Sequence, residues 1–265
     1  MLVTNRQNEI MAGYSLVDLL VDSHCHLDFF PDLKPVILRA KQHGVSCMVS
    51  CATNLGSIKK HLLIQKEFVE VKICLGIHPV DFLKMKSADA KKALLLLEKN
   101  APKCVAVGEI GLDNKYAKTV IEKKAQEEIF RLQVRAAIEN YLPVVVHARF
   151  AEQQALQVLK EEGAKKVLMH WFTNSVESVL EAQKSGYFMS CGPIIHSSVE
   201  ALEIAKKIPQ DLLLLETDAP VSFLEKQSEP FWIKGVLEKM SGGKGAKMEV
   251  LAKKTTKNAQ TLFGL

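Results

Sequence analysis

Eight short apolar runs recur along this chain, and several of them lead straight into a histidine or an acid. Leu19–Val21 precedes His24 and His26, and Val105–Val107 precedes Glu109. Val144–Val146 ends in His147, Val167–Met169 ends in His170, and Leu212–Leu215 is followed shortly by Asp218. Runs of this length, bounded by polar and turn residues, read as buried strands. In a closed parallel barrel all strand C-termini share one rim, so residues far apart in sequence meet there. Imidazoles and carboxylates gathered at one rim are what a hydrolytic metal centre needs.

The remaining pattern agrees with a barrel. Strands are predicted at 19–23, 46–50, 72–76, 104–108, 143–147, 166–170, 187–190 and 212–216. Helices are predicted near 34–43, 57–68, 88–99, 121–140, 152–162, 176–185, 198–207 and 232–240, with a last one at 247–262. In the 121–140 helix, Ile121, Ala125, Ile129, Leu132 and Ala136 mark an apolar stripe at three- and four-residue spacing. Strictly alternating strands and helices argue for one α/β (β/α)8 TIM barrel. The length of 265 residues suits a single domain over 1–265, with 1–17 as a loose lead-in. The segment Ser241-Gly242-Gly243-Lys244-Gly245 follows a helix rather than a strand, so it reads as a turn and not as a phosphate loop.

Composition excludes several classes. No run approaches the roughly 18 unbroken apolar residues of a membrane span. No signal or transit peptide is legible, so the protein is expected to be cytoplasmic, a monomer, with no membrane partner. The six cysteines form no compact framework and are expected as reduced thiols. Cys47-x-x-x-Cys51 reads either as two small apolar residues on a buried strand or as half of a zinc site. The net charge of +5 permits a polyanionic substrate without requiring one.

The chemistry is carried by a few residues. In an extended segment i and i+2 point the same way, so His24 and His26 can grip one ion while Cys25 faces away. Glu109, at the exit of its strand, can bridge two ions. Its flanking Gly108 and Gly111 admit a close approach by backbone or ligand. His147 and His170 each close a strand as candidate ligands. Asp218 can bind metal and also accept a proton from water. Glu216 shares its face, as a partner for a ligand histidine or as a buried structural acid. His78 reads as a substrate or phosphate contact, or as a turn histidine beside Pro79. Arg149 is a candidate phosphate clamp, because guanidinium grips phosphate in a fork. No Gly-x-Ser-x-Gly elbow and no dinucleotide fingerprint is present.

Taken together, DSHCHLD (22–28), GIHP (76–79), GEIGLD (108–113), LPVVVHAR (142–149), the His170 strand end and ETDAP (216–220) resemble the TatD family of metal-dependent deoxyribonucleases. Gln126, Phe130, Gln133, Glu229-Pro230 and Asn258-Ala259 with Phe263 add to the likeness. The resemblance implies hydrolysis of DNA phosphodiester bonds, with DNA as substrate and two divalent metal ions (Mg2+, Mn2+ or Zn2+), a third being conceivable. It implies His24, His26 and Asp218 on one ion, His147 and His170 on another, Glu109 between them, and Asp218 and Glu109 as catalytic groups. The rim departs from the family pattern. Phe150 stands after Arg149 where an acid is usual, and Gln227-Ser228 stand where Arg-Asn is common. His170 is followed by Trp171 without the usual glycine. A metal-dependent hydrolase of a small ester, lactone or amide is the alternative that these departures leave.

Overall fold

The computed structural model describes residues 20–223 and 225–265. The lead-in expected over 1–17, and Leu19 of the first expected strand, lie outside the described residues. Eight strands form one sheet in sequence order. They are β1 (Leu20–Cys25), β2 (Val45–Cys51), β3 (Val71–Leu75), β4 (Ala106–Asp113), β5 (Val144–Arg149), β6 (Val167–Met169), β7 (Phe188–Cys191) and β8 (Leu213–Leu215). Every neighbouring pair from β1 to β8 is parallel. The seam between β8 and β1 is joined by Ser23 Oγ donating to Leu215 O at 2.8 Å. Just above, Asp218 N donates to His24 O at 3.0 Å and His26 N donates to Ala219 O at 2.6 Å. The barrel expected from sequence is the fold observed.

Helices fill the crossovers: α1 (Lys34–Gln42), α2 (Leu55–Glu67), a short α3 (Pro79–Phe82), α4 (Ser87–Asn100), α5 (Val120–Glu139), α6 (Glu152–Glu161), α7 (Val176–Lys184) and α8 (Val199–Ala205). After β8 come α9 (Ile233–Lys244) and α10 (Met248–Phe263). Local chemistry sets their starts. Asn54 accepts from the amides of Gly56 and Ser57 at the head of α2, and Thr119 with Glu122 forms a capping box on α5. Two expectations fail. The stripe on α5 is misplaced, for Ile121 and Leu132 are exposed while Gln126, Phe130, Gln133, Val134 and Ala137 are buried beside Ile129 and Ala136. The glutamines can be buried because each is hydrogen-bonded to backbone at both ends of its amide. Gln133 exchanges bonds with Ile77 N and O, and Gln126 bridges Asp113 N to Pro79 O. The turn expected at 241–245 is also wrong, since Ser241–Lys244 complete α9 and left-handed Gly245 stops it. Tertiary packing overrides the weak helix propensity of glycine, which is about 1 kcal/mol per residue. A Cβ on Gly243 would sit 3.3 Å from Leu202 Cδ1, and Lys244 Nζ donates to Lys206 O and Ile208 O.

The period of two along the strands divides the core into two layers. Val144, Val146, Val167, Met169, Leu213 and Leu215 face the helices. Val145, Leu168 and Leu214 face inward with Val49, Cys51 and Cys74, and Ala259, Leu262 and Phe263 of α10 pack onto that inner layer. Asn258 Nδ2 donates to Gln210 O and Leu213 O, which fixes α10 at the N-terminal end of the barrel. All six cysteines are free, and Cys25 lies in the helix-facing layer, away from the histidines. Among the described residues no helix is long and apolar enough to cross a membrane.

Candidate metal centre

Two irregularities in the sheet put the polar residues on the inner face. In β4, Ala106 faces in and Val107 faces out. The register then slips between Val107 and Ile110, and Ile110 and Leu112 face out. A one-residue slip exchanges the faces of a strand. Glu109, Gly111 and Asp113 therefore lie on the inner side, and Glu109 sits within β4 rather than at its exit. A register shift between Asp22 and Cys25 in β1 likewise accompanies the change of face. Val21 belongs to the inner layer, Cys25 and Leu27 to the outer, and His24 and His26 point inward.

The six residues read from the sequence converge. Glu109 is the hub and is 2 % exposed. Its Oε1 lies 2.9 Å from His170 Nε2, 3.0 Å from His147 Nδ1 and 3.5 Å from His78 Nε2. Its Oε2 lies 3.1 Å from His26 Nε2 and 3.6 Å from His24 Nε2. Asp218 Oδ1 closes the other side, 3.4 Å from both His24 Nε2 and His26 Nε2. One carboxylate thus faces two histidine pairs, one on each oxygen.

The hydrogen bonds on the far side of each ring decide what it offers. His26 Nδ1–H donates to Cys51 O at 2.8 Å, which leaves a lone pair on Nε2 in the neutral ring. His147 turns Nε2 toward Asp113 Oδ2 at 3.0 Å, so its Nδ1 lone pair faces Glu109. His170 Nδ1 lies 3.4 Å from Glu216 Oε1, whose other oxygen accepts from Ser190 Oγ. Glu216 thus resolves as the neighbour of His170. A neutral ring's lone pair against a carboxylate oxygen at about 3 Å is repulsive unless a cation lies between them. The donor set, nitrogen and carboxylate oxygen, suits a divalent ion. Protons meet the same demand. Burial opposes charge on His26, His147 and His170, yet Glu109 with Asp218, Asp113 or Glu216 outweighs it and raises each pKa above that of a free histidine. Glu109 responds in the opposite sense. Burial would raise it, but His78, His170, His24 and His147 hold it well below the usual carboxylate range.

His78 differs from the others. Its Nδ1 accepts from Val80 N at 3.2 Å, so the neutral ring reaches Glu109 with Nε2–H and not with a lone pair. Burial pushes its pKa down to about 4, which keeps it neutral. With Glu109 and His147 it also belongs to a group whose atoms lie close enough together to hold an ion, but in this tautomer Nε2 carries a proton and offers a hydrogen bond. Arg149 is exposed at the end of β5, and it lines, with His78 and the inner histidines, a cavity of about 680 Å3. Cys51 lies in the inner apolar layer with Cys47 packed against it, and among the described residues the groups suited to a metal contain no cysteine.

Asp113 was given no role from sequence. The alternation of Glu109, Gly111 and Asp113 along one strand is the signal that could have found it. It is buried, accepts from Lys115 N and Tyr116 N, and fixes the tautomer of His147. Asp113→Asn should weaken metal affinity by about 10- to 100-fold with the fold retained. Competition against a chromophoric chelator measures this, and unchanged affinity would remove Asp113 from the centre.

Comparison with known proteins follows this geometry. Residues 21–264 match the family described as TatD related DNase. The human protein named Deoxyribonuclease TATDN3 is 34% identical over 258 residues, covering 92% of this chain and 94% of that protein. A Bacillus subtilis protein named as the uncharacterized metal-dependent hydrolase YabD is 36% identical over 258 residues, covering 92% of this chain and 99% of its own. Among solved structures, the Escherichia coli TatD homolog YjjV superposes with a TM-score of 0.86 at 26% identity, over 95% of this chain and 100% of that one.

Proposed function

Because this chain belongs to the family of TatD-related DNases, we propose that it is a metal-dependent deoxyribonuclease that hydrolyses phosphodiester bonds at the centre around Glu109. The observation that carries this is the double face of Glu109, with His147 and His170 on one oxygen and His24 and His26 on the other. On this reading His24, His26 and Asp218 hold one divalent ion, His147 and His170 hold a second, and Glu109 lies between. Nitrogen-rich ligation suits Zn2+ or Mn2+, and the carboxylates also admit Mg2+. Bound ions would supply Lewis-acid polarisation and acidify water.

The side chains do the rest. Asp218 is held ionised, because His24 and His26 outweigh the effect of its burial. It is also open to the cavity, so it is placed to take a proton from water there. The Arg149 guanidinium is a donor on the same cavity, suited to the non-bridging oxygens of a phosphodiester, and His78, which lines it too, would serve there only by turning its Nε2–H from Glu109 to the substrate. The names of the human and Bacillus relatives, a deoxyribonuclease and a metal-dependent hydrolase, support the same class.

End-labelled DNA incubated with the protein and Mg2+, Mn2+ or Zn2+ tests this reading. Cleavage should require the ion, stop with EDTA, and fall by about 10²-fold or more in Asp218→Asn. Metal-loaded protein that cleaves small esters but no DNA would replace this reading with the small-substrate hydrolase.

A further inference from the structure

The cavity above the candidate centre has a feature that metal chemistry does not use. Four of its twenty lining residues are aromatic (Phe29, Tyr116, Phe150 and Trp171), against 6% aromatic in the whole chain. Phe150 is the most exposed of them whose exposure stands above one half by a wide margin, at 68%. It also holds a left-handed backbone, φ 54°. For a bulky residue that conformation is a genuine outlier. Two bonds from one residue maintain it: Asn114 N donates to Arg149 O at 2.9 Å, and Asn114 Nδ2 donates to Phe150 O at 2.8 Å. Asn114 follows Asp113, which holds His147. The backbone that fixes the metal-facing histidine therefore also fixes Phe150. Most of the Phe150 side chain faces solvent, so its placement buries little apolar surface. Backbone strain of this kind clusters at ligand sites.

We propose that Phe150 is a stacking platform for an unpaired nucleobase flanking the scissile phosphate, and so a specificity-determining residue of the site. The proposal rests on the nuclease reading above. Cations on the same cavity, Lys84 and Arg149, match a phosphate backbone beside the stacked base. Every base offers a π-face, so such a platform accepts any sequence but requires the base to leave its duplex.

The test uses full-length metal-loaded protein and single-stranded oligonucleotides with one cleavable linkage. The nucleotide on one side of that linkage, then on the other, carries either its base or an abasic residue. For one of the two sides, wild-type kcat/KM should fall by about 5- to 150-fold when the base is absent, the effect of losing one stacked base. Phe150→Gly should cleave the complete and abasic substrates at rates within about threefold of each other, and Phe150→Tyr should restore the difference. Glycine suits a left-handed backbone, so Phe150→Gly should fold with a Tm within roughly 4 °C of wild type. A full abasic penalty retained in Phe150→Gly, or none in wild type, overturns the platform while DNA cleavage stands. No DNA cleavage by wild type with any of the three ions overturns the nuclease reading and the platform with it.

Discussion

Glu109→Gln is expected to lower kcat/KM by about 10³-fold, near 4 kcal/mol of transition-state stabilisation, and to reduce the metal bound per chain. The substitution keeps size and shape but removes the charge. In the native chain one oxygen faces His147 and His170, and the other faces His24 and His26. A glutamine amide presents one oxygen and one NH2, so one of the two pairs would face a donor that cannot ligate. The loss of negative charge also removes the carboxylate attraction that would help hold a dication among neutral imidazoles. Steady-state kinetics together with elemental analysis of bound metal separate the two effects. Full metal content with full activity would show that Glu109 is a buried structural acid and not the hub.

Gly111→Ala is expected to cost about 4 kcal/mol or more, in the range reserved for severe lesions. A Cβ at this position would stand 2.0 Å from His147 O, and the backbone has φ 138°, a region essentially confined to glycine. Gly111 is the register partner of His147 across β4 and β5. Relief of the overlap must therefore move a strand that carries a candidate ligand. Tm should fall by roughly 8–16 °C for a chain of this size, and metal binding should weaken with it. Gly163→Ala is the control. Its backbone is also left-handed, φ 76°, but nothing lies within 4 Å of the added Cβ. It should lose only about 1 kcal/mol. Thermal melts of the two variants give the comparison, and equal losses would show that backbone conformation alone, and not the contact with His147, makes Gly111 necessary.

Much of this protein is legible along the chain because strands and helices have different periods. The apolar runs ending at Val146, Met169 and Leu215 mark β5, β6 and β8 to within a residue or two. The helices expected from 57 and 121 begin at Leu55 and Val120, where the caps Asn54 and Thr119 act within one turn. Errors arose where a distant contact decided. Gln126 and Gln133 are buried because backbone groups of Ile77, Pro79 and Asp113, distant in sequence, donate to their oxygens and accept from their amide nitrogens, whereas polarity alone places them on the outside. Gly242 and Gly243 lie within α9, where Leu202 of α8 and Lys206 pack close against Gly243.

For the candidate centre, the sequence by itself determined which side chains to expect there: His24, His26, Glu109, His147, His170 and Asp218 each stand at or near a strand that an apolar run announces. Residue type and its distance from that run are local properties. Only the tertiary structure decided which atom of each side chain turns inward. The slip in β4 brings Glu109 and Asp113 to the inner face, Asp113 and Cys51 hydrogen-bond and so orient His147 and His26, and the Glu216 carboxylate stands 3.4 Å from His170 Nδ1. Each of these partners belongs to a different strand or strand end from the ring that it faces. Register between strands is a long-range quantity, set by the packing of whole layers, and no stretch of sequence contains it.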